Sequence, residues 1–245
     1  MKKFTFILLT VLVAVSCRKV SPEQRIAQVS KYFDKAEITY AEDLRRFEGQ
    51  KRIDYLTLTL AKDLSAEDVW TLEQAGENSL VAVFPGREKR VTRYSFLSAS
   101  LDDPEACAGI LSILRAIKDM RLKPQGTIHA LFYSTAKDTS GVSGLGAIFH
   151  ESQADGDQIT FDFDLTACDT LAGRTFIIED KAFFADQVLD VIPPYLEPLG
   201  KYNFQKGHYP NRNWEVKAPT YRYNLTPADR KKESALITMF ALLLN

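Results

Sequence analysis

Two strand-like segments flank one strongly helical segment in the middle of the chain, and this arrangement limits the fold more than any other feature. Residues 79–84 (SLVAVF) and 127–133 (TIHALFY) are short apolar runs rich in β-branched or aromatic residues, which is typical of buried strands. Between them, residues 106–120 are apolar at helical spacing and follow two acidic residues and Pro104, which suit a first helical turn. The alternation predicts an α/β fold with a mainly parallel, mixed sheet sandwiched between helices.

The rest of the chain continues this alternation. Residues 159–165 (ITFDFDL) alternate strictly, which predicts a strand with Asp162 and Asp164 on one face. A helix is expected to begin at Ser21, which precedes proline and a capping-box glutamine. No repeat or linker is visible, so one domain is expected from residue 21 to residue 245. Further strands are predicted at 52–60, 91–99 and 175–178, and further helices at 64–75 (capped by Ser65), 182–196 and 226–244.

Composition excludes several classes of protein. The chain has 245 residues, 31 basic and 32 acidic side chains, a net charge of −1 and 45% hydrophobic residues. Such a chain has enough apolar surface to fold, so it is not intrinsically disordered. It also lacks the basic excess that nucleic-acid binding requires, and we expect no nucleic-acid partner.

The N-terminus has the pattern of an export signal. Lys2 and Lys3 precede an apolar run at residues 4–15 that is too short to span a bilayer. The run ends in AVSC, which resembles a bacterial lipobox whose cysteine, Cys17, becomes acylated. The predicted organisation is a signal peptide at 1–16, a lipidated tether at 17–20 and an α/β domain at 21–245. An ordinary secretory signal with an incidental cysteine is the alternative.

Export would carry the remaining cysteines into an oxidising compartment. Cys107 and Cys168 could form a disulfide there, or they could remain two buried, inert thiols. Because basic rather than acidic residues follow Cys17, the expected location is the cell envelope, with the lipoprotein on the periplasmic face of the outer membrane. We expect the membrane to be a partner that the protein contacts only through its N-terminal lipid.

Four blocks of sequence stand out in order along the chain: residues 78–86 (NSLVAVFPG), 101–111 (LDDPEACAGIL), 126–134 (GTIHALFYS) with the glycine turn at 141–144, and 225–229 (LTPAD) leading into the helix at 235–244. Together they cover about two-thirds of the chain, and no block alone is specific. In this order they resemble the di-zinc aminopeptidase family, which is related to the glutaminyl cyclases. The resemblance implies a zinc-exopeptidase-like fold with its site at the carboxyl edge of the strands.

The family's metal site is only partly present. The resemblance matches Asp102 to the aspartate that bridges the zinc ions, and Asp164 to a later ligand, with Asp162 as an alternative. Where the family has a first histidine, this chain has Ala99 or a neighbour. The family's Glu-Glu pair, a base followed by a ligand, falls on Lys137 and Asp138. Residues 215–219, where the last histidine is expected, contain none, so the resemblance implies a degenerate site without a catalytic base.

The chain's three histidines do not restore the missing ligands. His129 lies inside a predicted strand, where a packed imidazole is expected. His150 follows a helix-like segment and is expected at the surface. His208 lies in a polar, aromatic loop, either as a plain loop residue or as part of a cleft rim with Tyr209 and Trp214. Neighbouring aromatic residues at 202–204 and 214–223 suit the same rim, or ordinary packing of a long loop.

Lysines stand near two of the lost ligand positions. Carboxylates grouped without a metal repel one another, and a lysine among them would restore neutrality. We therefore hypothesise that Lys137, with Lys217, replaces the charge of the metals against Asp102 and Asp164. Alternatively, Lys137 faces solvent in a loop.

The sequence gives little support for any other catalytic arrangement. Ser143 in the glycine turn lacks the strand–turn–helix setting and the partners of a nucleophile elbow. Cys107 falls in the first turns of a predicted helix at a position expected in the core, although a helix N-terminus could stabilise a thiolate. No phosphate-binding loop is present.

Two functional hypotheses remain. The first is a lipid-anchored, non-catalytic member of this fold, without catalytic residues or cofactor, that binds a peptide, a glycan or an envelope protein in the inherited cleft. The second is an active aminopeptidase-type metallohydrolase with a remodelled zinc site. Its candidate ligands are Asp102, Asp138, Asp164 and His208.

Overall fold

One mixed sheet organises the molecule, seen in a computed structural model that describes residues 22–35, 40–74, 76–87, 93–124, 126–136, 158–166, 175–179, 203–207 and 220–224. Within these residues the sheet has eight strands in the order β1-β2-β4-β3-β5-β8-β6-β7. The strands are β1 Asp68–Gln74, β2 Glu77–Phe84, β3 Arg93–Ser100, β4 Thr127–Tyr133, β5 Gln158–Thr166, β6 Thr175–Glu179, β7 Asn203–Gly207 and β8 Thr220–Asn224.

Parallel pairing is concentrated at the centre of the sheet. β3 pairs in parallel with β4 on one side and β5 on the other, and β5 pairs in parallel with β8. β6 and β7 are also parallel, whereas β1 with β2, β2 with β4, and β6 with β8 are antiparallel. The predicted mixed α/β architecture is therefore confirmed, and the carboxyl ends of β3, β4, β5 and β8 share one edge.

Four α-helices are described: α1 Pro22–Lys35, α2 Tyr40–Arg46, α3 Gln50–Leu58 and α4 Pro104–Asp119. A π-helical turn, Thr59–Asp63, continues α3. None of the described helices is long and apolar enough to span a membrane. The predicted helices at 182–196 and 226–244 lie outside the described residues.

Helix α4 fills the centre of the main core. The Asp103 side chain caps its N-terminus by accepting a hydrogen bond from the Ala106 N–H at 2.9 Å, and Pro104 occupies the first turn, where no N–H is needed. The helix ends where Arg121 adopts a φ of 52°. Its apolar residues pack against one face of β2, β3, β4 and β5, through Leu80, Ala82, Leu97, Ala99, Ala130, Phe132 and Leu165.

The opposite face of the central strands is covered as well. Val81, Phe96, Ser98 and Leu131, which alternate with the core residues above, are fully buried. Burial on both faces explains why the central strands are continuous apolar runs in the sequence.

Two predicted elements are wrong. The predicted strand at 52–60 is α3 with the π-helical turn, because Ile53, Leu56 and Leu60 form a buried helical stripe. The alternating LTLTL at 56–60 suggested a strand. The predicted helix at 64–75 contains strand β1, and Ser65 has a φ of 60° rather than the extended backbone of a helix cap.

Two further strands were not predicted. Residues 203–204 and 220–223 were expected in an aromatic loop region, but β7 and β8 occupy these positions, and β8 lies inside the sheet between β5 and β6. The other predicted elements within the described residues are confirmed: α1, α4, β2, β3, β4, β5 and β6.

Replacing the capping residue of α4 should weaken the fold measurably. Asp103→Ala removes the acceptor for the Ala106 N–H, and the expected loss is about 1 kcal/mol in the free energy of unfolding, measured by urea denaturation. Asp103→Ser keeps an acceptor at the same position and should lose less than half as much. Equal losses in the two variants would show that the cap is not the stabilising contact.

Candidate functional site

The candidate site lies where β3, β4 and β5 end side by side. Ser100, the last residue of β3, is level with Tyr133, the last residue of β4, and Ser98 on β3 is level with Asp164 on β5. Side chains from these strand ends and from the loops that follow therefore meet at one edge of the sheet. This is the edge at which open α/β sheets bind their ligands.

Asp102 is an exposed carboxylate held by its neighbours. The Thr135 hydroxyl donates a hydrogen bond to its Oδ2 at 2.9 Å, and its own backbone N–H donates to Ser100 Oγ at 3.1 Å. The loop after β3 is thus joined to the segment after β4. An exposed carboxylate in a fixed position can accept hydrogen bonds from a ligand.

Arg52 of α3 holds the loop that carries Asp102. Its Nε donates to the carbonyl oxygens of Phe47 at 2.9 Å and Leu44 at 3.3 Å, and its Nη1 donates to the carbonyl oxygen of Leu101. The guanidinium is buried, and carbonyl oxygens near the C-terminal end of α2 are favourable partners for a cation. Arg52 was not predicted as a site residue, because its segment was expected to be a strand.

Asp164 is the buried carboxylate of the site, with 4% of its surface exposed. The Tyr133 hydroxyl donates to its Oδ1 at 3.0 Å. Asp162, the alternative ligand, is level with Phe96 and so lies farther from the carboxyl edge than Asp164, which is level with Ser98. Of the two aspartates, Asp164 is therefore nearer to Asp102 along the sheet.

Glu77 is a further carboxylate at this edge that the sequence did not indicate. It begins β2, which is antiparallel to β4, so its end of β2 lies beside the carboxyl end of β4. Its Oε2 accepts a hydrogen bond from the Ser134 hydroxyl, and the Ser134 N–H donates to Ser79 Oγ at 3.0 Å. No local sequence pattern points to Glu77, because its place at this edge depends on the antiparallel pairing of β2 with β4, which is a long-range contact.

The position expected for the first histidine ligand is not available for a metal. Ala99 is fully buried and belongs to the core packed against α4. Its neighbour Ser100 uses its hydroxyl to accept the Asp102 N–H. In the described part of the chain, no three or more His, Cys, Asp or Glu side chains group closely enough to hold a metal ion.

Within the described residues, the two carboxylates with hydroxyl partners are fewer than the three or more protein ligands, usually including nitrogen or sulfur, that a zinc centre needs. The other residues predicted at the site lie outside the described residues and remain predictions: Asp138, Lys137, Lys217, His208, Tyr209 and Trp214. The same holds for Cys17, Cys168, Ser143 and His150.

His129 and Cys107 take no part in the edge. His129 lies in the middle of β4 as predicted, with its ring edge-on to Phe96, and burial lowers its pKa to about 4, so the imidazole is neutral. Cys107 is a buried, free thiol in the core, as expected for that position, and donates to the Ser100 carbonyl oxygen at 3.3 Å. Burial, with the nearby Asp103 charge, raises its pKa, which makes it a poor nucleophile.

Comparison of the sequence with protein-family models and with curated proteins finds no match. Solved structures do match the fold. A proposed zinc-dependent exopeptidase from Bacteroides vulgatus superposes with a TM-score of 0.60 at 13% identity, covering 84% of this chain and 94% of that one. The chain has the zinc-exopeptidase fold.

Two further structures agree with this assignment. A zinc-dependent exopeptidase from Parabacteroides distasonis gives a TM-score of 0.57 at 13% identity, covering 92% of this chain and 99% of that chain. A glutaminyl cyclase from Bacteroides thetaiotaomicron gives 0.57 at 11% identity, covering 92% and 98%. At such low sequence identities, these superpositions establish the zinc-exopeptidase fold alone, and the activity has to be argued from the site.

Removing the hydroxyl that faces Asp164 tests the buried part of the site. Tyr133→Phe takes away a hydrogen bond to a buried carboxylate, and the expected loss is about 2 kcal/mol in the free energy of unfolding. As a control, Tyr55→Phe removes a similar bond to the partly exposed Asp43 and should cost less than about 1 kcal/mol. Both are measured by urea denaturation, and equal losses would contradict the importance of burial.

Proposed function

We propose that this chain is a non-catalytic binding protein built on the zinc-exopeptidase fold. The observation that carries the proposal is the way the two described carboxylates of the site are hydrogen-bonded. Thr135 and Tyr133, neutral hydroxyl donors, bind Asp102 and Asp164. The histidine position that the resemblance assigns to zinc is replaced by a core alanine and a serine engaged in the turn.

Physical chemistry supports this reading of the site. A zinc site loses most of its affinity with each missing ligand, and a hydrolase of this type needs a base to activate its water. The resemblance places Lys137 where the base would be, and a charged lysine cannot accept a proton. The fold and its strand edge remain, and open α/β sheets can bind a ligand at this edge without reacting with it.

The exposed groups at the edge suggest the chemistry of the ligand. Asp102 and Glu77 are exposed carboxylates on either side of the segment that contains Ser134 and Thr135. Carboxylates accept hydrogen bonds from ammonium and hydroxyl groups. A peptide with a free amine, a glycan or a segment of an envelope protein would suit this edge.

We also propose that the chain is anchored by lipid on Cys17 and lies on the periplasmic face of the outer membrane. The support is the sequence alone: a charged n-region, an apolar run and the AVSC motif. The short connection from Cys17 to α1 would keep the domain close to the membrane surface.

Metal analysis and turnover together test the non-catalytic assignment. The mature, full-length protein, purified without chelators, should contain less than about 0.1 zinc per chain and should cleave none of a panel of aminoacyl substrates. The leucine aminopeptidase precursor of Bacteroides thetaiotaomicron, another structure of this fold, is a suitable positive control for the assay. Stoichiometric zinc with turnover that Asp102→Ala abolishes would overturn the proposal and favour the metallohydrolase.

The lipid anchor is tested separately. Cys17→Ser should prevent incorporation of labelled palmitate and move the protein from the membrane fraction to the soluble envelope fraction. Cys107→Ser, in the core, should leave labelling unchanged. Labelling that survives Cys17→Ser would place the lipid elsewhere.

A further inference from the structure

The register of β5 and β8 brings a basic residue to the level of the buried carboxylate. Asp164 on β5 is level with Arg222 on β8, within a continuous register from Asp162 with Thr220 to Thr166 with Asn224. Adjacent strands lie about 4.8 Å apart, and register partners in neighbouring parallel strands belong to the same face of a sheet. Arg222 therefore lies beside Asp164 on the face opposite the α4 core.

Asp164 requires a compensating charge if it is ionised. Its residue is 4% exposed, and its register partner on the other side, Ser98, is fully buried. The Tyr133 hydroxyl supplies a hydrogen bond but no charge. Burying an ionised carboxylate is costly unless an opposite charge and further hydrogen bonds offset the loss of water.

Arginine is well suited to this position. Its guanidinium stays protonated in proteins and can bind both oxygens of a carboxylate at once. The resemblance assigns the positive charge opposite Asp164 to zinc, and the hypothesis from the sequence assigns it to Lys137 and Lys217. The register gives a different partner.

The path of β8 favours Arg222 over Lys217. β8 begins at Thr220, which is level with Asp162, and reaches the level of Asp164 only at Arg222. Lys217 precedes the whole strand in the sequence. Among the basic residues that the structure describes on the strands adjoining β5, Arg222 is the register partner of Asp164.

We infer that Arg222 forms an ion pair with Asp164 and supplies the positive charge that a metal provides in the zinc-exopeptidase site. The inference rests on the proposed metal-free function. Asp164 is then committed to an internal pair and is no longer available to a metal. The exposed Asp102 remains as the aspartate of the inherited site that meets a ligand.

A double-mutant cycle on the full mature protein tests the pair. Asp164→Asn and Arg222→Met should each lower the Tm by roughly 10 °C, because each variant removes one charge of a pair whose carboxylate is buried. The double variant should lose much less than the sum of the two, since it removes both charges. Additive losses would overturn the inference.

Asp162 provides the matched control for this cycle. It lies two residues away on the same strand but is level with Thr220, so Asp162→Asn and Arg222→Met should give additive losses. If a single variant fails to fold, folding of the double variant supports the pair. A crystal structure of the unmodified protein decides independently: an Arg222–Asp164 N–O distance under about 4 Å supports the pair, and one above about 6 Å overturns it.

Metal analysis of the same preparation separates the two proposals. Zinc-free protein with additive losses would overturn the role of Arg222 and leave the non-catalytic function standing. Stoichiometric zinc would overturn the non-catalytic function and, with it, the replacement of the metal by arginine.

Discussion

Parallel pairing of β3 with both β4 and β5 is the constraint on which the candidate site depends. It sets the ends of three strands at one edge, so that residues far apart in sequence, such as Asp102, Tyr133 and Asp164, become neighbours. Helix α4 reinforces the arrangement, because only three residues separate it from β3 and it covers the same strands. Backbone hydrogen bonding therefore positions the site, and the identities of a few side chains determine its chemistry.

The charge balance at this edge differs between its buried and exposed parts. The exposed Asp102 and Glu77 can be solvated and need only hydroxyl partners, whereas the buried Asp164 cannot rely on water. A metal would satisfy both kinds of carboxylate at once. Hydroxyl donors serve the exposed carboxylates, Thr135 for Asp102 and Ser134 for Glu77, whereas the Tyr133 hydroxyl gives Asp164 a hydrogen bond but no charge.

Local sequence patterns predicted the central helix and strands correctly. They failed for elements and site residues whose positions depend on contacts between distant segments. Buried apolar runs identified β2, β4 and β5, and the Asp–Pro start identified α4, because these signals are contained in each segment. LTLTL, which runs from α3 into the π-helical turn, suggested a strand, since alternation and helical spacing overlap in so short a stretch. Asp102 and Asp164 were found through the resemblance. Arg52, Glu77 and Arg222 acquire their places only through pairing between distant segments, which no local pattern encodes.

The connection between β3 and α4 consists of only Leu101, Asp102 and Asp103. It is tied down by the Arg52 guanidinium, by the Cys107 thiol on the Ser100 carbonyl and by the Asp103 cap. Because this connection is short and held by these hydrogen bonds, an inserted residue could not easily bring a new metal ligand to the strand edge. A new metal ligand could be introduced in this connection only by substitution at an existing position, and Ser100, at the strand end, is the position to substitute first.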